Sequence, residues 1–186
     1  MADASVRPAA APEAASIAAL QATVWSAVYA GVLPADALAA VGSAEAAARW
    51  LAAIEEPPTP RHRVLVALAG DELTGFAAVA PATDPDLVPA LDAELVALCV
   101  AAERSGQGHG SRLVNAVGDV LRDDGFHHVH VWLAAPEASL RRFLVGAGWA
   151  DDGARRSLDL HGDGEVLVEQ ERLRAGLTDS TGPAPA

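Results

Sequence analysis

The chain has no lysine, one cysteine and few aromatic residues, 4% of its 186 positions. With Cys99 alone, no disulfide can form within the chain and no cysteine-based metal site exists, which fits a cytoplasmic location. Without lysine, the Gly-Lys-Ser/Thr phosphate loop of nucleotide triphosphatases is excluded, and an NTP-binding reading loses its main support. Scarce aromatics mean that the core rests on Val and Leu, because alanine supplies much of the 51% hydrophobic fraction. Positive charge is also short, with a formal net charge of −12. That balance opposes non-specific nucleic-acid binding, which requires cations to displace counterions. It likewise disfavours docking on anionic lipid, and it welcomes a cationic amine substrate.

The N-terminus lacks a positive region followed by an apolar core, so no signal peptide is expected. Residues 14–35 carry no charge, but Gln21, Thr23, Ser26 and Pro34 interrupt them. Ile17, Leu20, Val24 and Val28 fall on one helical stripe, which predicts a helix with one buried face rather than a membrane span. The length suits one domain with a proper core.

Val6-Arg7-Pro8 reads as a short edge strand. Pro12-Glu13 opens a first helix, and a second is expected from Pro34 to Ile54. Pro57, Pro58 and Pro60 mark a rigid linker. Arg63–Ala69 and Leu73–Ala80 flank Gly70-Asp71, a hairpin signal. Next come a strand over Glu94–Val100, a helix over Gly108–Asp123, a strand over His127–Leu133 and a helix over Pro136–Ala147. Two final strands follow, from Trp149 onward and over Glu165–Arg172, with a turn at His161–Gly164. The domain is expected to span residues 1–174, followed by a disordered polar tail over 175–186. This order is that of one mixed α/β (α+β) domain.

The richest segment joins the apolar strand Glu94–Val100 to the helix through Ser105-Gly106-Gln107-Gly108-His109-Gly110-Ser111. Alternating glycines leave backbone N–H groups unshielded where a helix N-terminus adds partial positive charge. That combination is a socket for phosphate. The spacing departs from G-x-G-x-x-G, because Leu113 stands where a final glycine belongs. A plain strand-to-helix turn would use the same glycines.

His128 and His130 share one strand face with Trp132. Two histidines at i and i+2 can hold a metal, but no third ligand is evident, so no metal site is assigned. Partial exposure, or a place near a substrate, is the expectation for them. His109 reads as a spacer whose backbone N–H does the work, and Cys99 as a small buried residue.

Several segments together resemble the GNAT-type N-acetyltransferase superfamily: Leu98-Cys99-Val100, the glycine loop, Phe143-Leu-Val-Gly-Ala-Gly-Trp149, and a front half with Trp25, Tyr29 and Gly31-Val-Leu-Pro34. The resemblance spans roughly residues 6–173. It implies a GNAT-like single domain with a twisted mixed central sheet flanked by helices. It further implies acetyl-CoA or another acyl-CoA as co-substrate and a small-molecule or peptide amine as acceptor. By this likeness Leu98, Cys99 and Val100 hold the pantetheine arm, and Ser105, Gly106, Gln107, Gly108, His109, Gly110 and Ser111 hold the pyrophosphate. Glu94 stands where such proteins often place a glutamate, as the general base; a strand-end surface acid is the plain alternative. A homodimer is compatible with the likeness, and neither nucleic acid nor membrane is implied as a partner.

The chain departs from the pattern at three places. Ser105 replaces Arg or Gln, Glu137 replaces an asparagine, and Leu144 replaces a tyrosine that protonates the departing thiolate. A catalytically degenerate acyl-CoA-binding or interaction module is therefore the alternative function.

Overall fold

The computed structural model describes residues 4–159 and 167–177. The chain builds β1 (Ala4–Pro8), α1 (Ala14–Val28), α2 (Ala35–Val41), α3 (Ala44–Glu55), β2 (Arg63–Ala69), β3 (Glu72–Pro81) and β4 (Asp92–Val100). It continues through α4 (His109–Asp123), β5 (His128–Ala134), α5 (Ala138–Gly146), β6 (Ala150–Asp159) and β7 (Leu167–Gly176). The seven strands form one sheet in the order β1-β2-β3-β4-β5-β7-β6. Among the described residues only β4 and β5 pair in parallel. β1 lies on the sheet edge, where the missing N–H of Pro8 costs little.

Both faces of the sheet are covered, which explains why β2 and β3 read as continuous apolar runs. Leu65 and Ala67 of β2 pack on one face with Leu113, Val117 and Leu121 of α4. Val66 and Leu68 turn the other way, toward Ile17 of α1 and Phe76. The apolar stripe of α1 is used as expected, with Ile17 fully buried and Leu20 and Val24 packed beside it. Among the described residues no single helix is long and apolar enough to cross a membrane, and α2 with α3 reach that length only as a pair bent by 42°.

That pair corrects one expectation, since the single helix over Pro34–Ile54 is two. Gly42 ends α2, and Ser43 in an extended conformation starts α3 by accepting a hydrogen bond from the Ala46 N–H at 3.1 Å. An N-cap of this kind stabilises a new helix start by about 1 kcal/mol. The last helix is also shorter than expected, with a 3-10 turn over Ala135–Glu137 preceding α5. At the C-terminal end the sheet runs past the expected boundary at 174. β7 reaches Gly176, and buried Leu177 donates its N–H to the His127 carbonyl at 2.8 Å. The expected turn at His161–Gly164 and the tail from residue 178 lie outside the described residues.

Two irregularities position the site. First, β4 and β5 pair over only three positions, Asp92–Glu94 with His128–His130. Beyond Glu94, β4 is paired on its β3 side alone, up to Val100. Second, Ala97 pairs with Ala78 and Leu95 with Val79, leaving Val96 as an extra residue in β4. Val96 is 57% exposed. A bulge of this kind bends a strand and ends regular pairing. It also shifts the alternation: Ala93 and Leu95 face α4, and after the bulge Leu98 and Val100 do.

Candidate active site

The gap between the diverging strands opens into a cavity of about 480 Å³. Val24, Trp25 and Val28 of α1 and the following Tyr29 wall one side, and Pro136, Glu137, Leu140 and Phe143 wall another. Leu98, Cys99 and Val100 line it from β4, and Ser105, Gly106, Gly108, His109, Gly110 and Ser111 line it from the loop and the start of α4. Thus nine of the ten residues expected to hold a cofactor meet in one place. Gln107 is the exception: its side chain turns back to the Glu103 carbonyl at 3.2 Å. Glu94 does not line the cavity and stands farther down β4.

The loop geometry follows from its glycines. Gly108 caps α4 with φ +83°, a left-handed conformation that side chains disfavour by about 1–2 kcal/mol. The Arg112 N–H makes the first helical bond, to the Gly108 carbonyl at 3.0 Å, so the N–H groups before it need other partners. At Gly110 an added Cβ would lie 3.3 Å from the Phe143 ring, so glycine lets α4 approach α5. The cavity end beside the loop is therefore a backbone cradle suited to an anion. Arg104 also lines it, paired with Glu72.

His109 does more than the expected spacer. Its ring is buried, and Nδ1 lies 3.1 Å from the Thr74 hydroxyl, which itself donates to the Ala67 carbonyl at 3.1 Å. The Thr74 proton is thereby spent, so His109 Nδ1 is the donor to it. This pair pins the loop to β3. Cys99 is buried, and burial pushes its thiol up to about 12, so it is an inert wall and not a nucleophile.

Glu94 sits on the β4 face opposite Ala93 and Leu95, level with His130 across the parallel pair. Burial raises its carboxyl above the ordinary value, and nearby Asp84 raises it further, against the lowering fields of Arg156, His130 and Arg172. Among the described residues it has no hydrogen-bond partner. Its surroundings are strongly built. Asp92 accepts from the Val88 N–H at 2.9 Å and lies 3.1 Å from both His128 Nδ1 and His130 Nε2. Burial alone would raise Asp92, but these bonds outweigh it and hold the carboxyl below its usual range. His130 is buried rather than partly exposed, the first of the two places expected for it, because Asp92 and Asp152, 3.6 Å from Nδ1, enclose it. No group of three or more metal-ligating side chains occurs among the described residues.

A second polar cluster flanks this face. Arg172 of β7, itself buried, grips Asp86 with two bonds of 3.0 and 2.6 Å and Asp152 with one of 2.7 Å. Trp132 Nε1 donates to Asp84 at 2.8 Å, and the Arg156 guanidinium lies 4.3 Å from the Trp132 ring centroid. The loop between β3 and β4 is thereby tied across β5, β6 and β7, next to Glu94.

Sequence reasoning placed neither Tyr29 nor Glu137 in the site. Both line the cavity, where Tyr29 is buried and the half-buried Glu137 carboxyl accepts from the Ala134 N–H at 2.8 Å. Leu144 is fully buried in the core and lies outside the cavity lining.

A profile of the Acetyltransferase (GNAT) family matches residues 34–148. No curated protein sequence matches the chain. Among solved structures, Salmonella typhimurium yncA with its cofactor acetyl-CoA is 16% identical, with a TM-score of 0.70 over 98% of this chain and 99% of that one. The PaiA N-acetyltransferase of Thermoplasma acidophilum in complex with coenzyme A is 15% identical, with a TM-score of 0.71 over 91% and 98%. An N-acetyltransferase from Staphylococcus aureus Mu50 is 14% identical, with a TM-score of 0.72 over 95% and 99%. At these identities the likeness establishes the fold. The family profile covers more than half of the chain, and it falls on the strand, glycine loop and helix that build the cavity: the protein belongs to the GNAT acetyltransferase family.

Proposed function

We propose that the protein transfers an acyl group, acetyl in the first instance, from acyl-CoA directly to a primary amine. The observation that carries this reading is the open β4 edge beyond Glu94, which leads straight into the glycine cradle. An extended amide-bearing arm adds to such an edge as another strand does, while its pyrophosphate meets the helix N-terminus. Neighbouring folds bound to acetyl-CoA and coenzyme A support the same assignment. Acyl-CoA supplies an activated thioester carbonyl. Leu98, Cys99 and Val100 align the arm, and the amides from Gly106 to Ser111 neutralise its phosphates. Glu94 takes the proton from the substrate ammonium so that nitrogen can attack. The acidic surroundings of Glu94 suit a cationic acceptor.

Isothermal titration is expected to register acetyl-CoA binding, and Gly108→Ala should weaken it about tenfold, the equivalent of 1.4 kcal/mol. No heat at millimolar acetyl-CoA would overturn the cofactor assignment. The second reading, a binding module that no longer catalyses, is favoured by Leu144 in the core. Release of free CoA thiol across a panel of amines separates the two: release establishes transfer, and binding without release for any amine establishes the module.

A further inference from the structure

On the Glu94 face of the sheet two guanidiniums lie over one indole. That of Arg172 is 5.3 Å from the Trp132 ring centroid and that of Arg156 is 4.3 Å from it. Their donors are in opposite states. Arg172 is buried and committed, with Nε on Asp152 and both terminal nitrogens on Asp86. Arg156, on β6, commits only Nε, which donates to Gln170 Oε1 at 2.7 Å. Its terminal nitrogens make no hydrogen bond among the described residues, and its side chain is 36% exposed. Asp84 comes no nearer to them than 3.8 Å, and it already accepts from Trp132 Nε1 and lies 3.6 Å from Arg172. Arg156 is therefore a fork fixed at its stem by Gln170 and held flat by Trp132. A flat, pre-organised fork with free donors is the group that binds a carboxylate in bidentate fashion.

The strands set its place relative to Glu94. Glu94 is level with His130, and Trp132 follows two residues later on the same face of β5, about 6.6 Å along the strand. There β4 has already left β5. Arg156 reaches the same spot from β6, because it pairs with Gln170 of β7, which pairs with Ala134 of β5. Glu94 and the Arg156 fork thus stand on one face of the sheet with Trp132 between them. After burial, which raises the Glu94 carboxyl, the strongest influence on it is the lowering field of Arg156.

From this arrangement we infer that the amine acceptor also carries a carboxylate: its nitrogen meets Glu94, the Arg156 fork holds its carboxylate beside Trp132, and the acceptor class is the amino acids. The assignment rests on the reading of Glu94 as the base for transfer from acyl-CoA. An amino acid suits the charges on this face. Its ammonium meets the acidic side, where Glu94 and Asp84 stand, and its carboxylate meets a guanidinium with open donors. An α-amino acid with a charge-assisted hydrogen bond of about 2.8 Å at either end covers a step of this size. A polyamine would set a second cation against Arg156, and such like-charge contact discriminates against a ligand. Arg156 touches the acceptor away from the reacting atoms, so it selects the substrate and leaves the transfer step unaltered.

The full chain with acetyl-CoA would be given α- and ω-amino acids, each beside its carboxamide and beside the amine that lacks the carboxyl group, and CoA thiol release followed. The best amino acid is expected to exceed its carboxamide in kcat/KM by about 10- to 10²-fold, the size of a hydrogen bond to a charged group. Most of that ratio should lie in KM, since the fork holds the ground state and the transition state alike. In Arg156→Gln the ratio should fall to within about twofold of one. Arg156→Lys should lie between, because an ammonium keeps the charge and loses the fork. Carboxamides or plain amines that the native chain uses as well as the amino acids overturn the inference and leave acyl transfer intact, and so does a ratio that survives Arg156→Gln. The native ratio needs no variant, so it decides the matter even where Arg156→Gln does not fold. Thiol release with none of the acceptors, while acetyl-CoA binds, overturns the inference and the transfer reading together.

Discussion

Glu94→Gln is expected to lower turnover at pH 7 by about 10²- to 10⁴-fold, the range of a lost general base. Acetyl-CoA affinity should stay within about twofold, because Glu94 stands outside the cavity lining. Two signs follow from the raised carboxyl. As the proposed base Glu94 acts in its ionised form, so the native rate is expected to fall as pH drops through a value above that of a free glutamate, and the glutamine variant to lose this acid limb. Stability runs the other way. The folded chain keeps this proton to a higher pH than the unfolded chain, so stability is lost as pH rises from the free value through the raised one. Glutamine escapes that loss, and the variant should melt at pH 7 no lower than the native protein. Stopped-flow detection of CoA thiol across pH 5–9, together with thermal melts, measures both. An unchanged rate would return Glu94 to the role of a strand-end acid.

Arg172→Ala is expected to destabilise the fold by about 3 kcal/mol, at the lower end of the range for removing one partner of a buried ion pair. The guanidinium joins β7 to Asp152 of β6 and to the loop before β4. Its loss leaves Asp152 and Asp84, whose side chains are each 15% exposed, without their nearest full positive partner. Asp86 is largely exposed, regains water and adds nothing to the figure. Lysine should not rescue the variant, since one ammonium cannot reproduce the fork that serves Asp86 and Asp152 together. Urea unfolding gives the number. A loss below about 1 kcal/mol would mean that the cluster is solvated and that the loop beside Glu94 is not held by it.

Strand and helix order was legible in the sequence because apolar periodicity and turn residues agree over most of the chain. The glycine loop was legible because few other arrangements need three glycines at alternate positions. The break between α2 and α3 had a local signal, Gly42-Ser43 followed by Glu45, which the strong apolar pattern on both sides masks. Tyr29 and Glu137 were marked only by the family likeness, and nothing local signals that they line one cavity. They lie more than a hundred residues apart, and only the closing of α1 over the diverging strands brings them together. Of the two places expected for His130, partial exposure fails for the same reason, since carboxylates from β4 and β6 bury it. The bulge was invisible because Leu95-Val96-Ala97-Leu98 is apolar throughout and fits either register.

That extra residue divides the molecule's information in an unusual way. Excising Val96 would leave Ala93, Leu95, Leu98 and Val100 all facing α4, because a regular strand through the remaining residues restores the same inside and outside. The core has no use for the position; what it supplies is the bend at the point where β4 and β5 separate. Its contribution is a count rather than a chemical group: a catalogue of point substitutions at an exposed valine would pass over it, while the loss of one codon would spare the fold and straighten the strand edge beside the site.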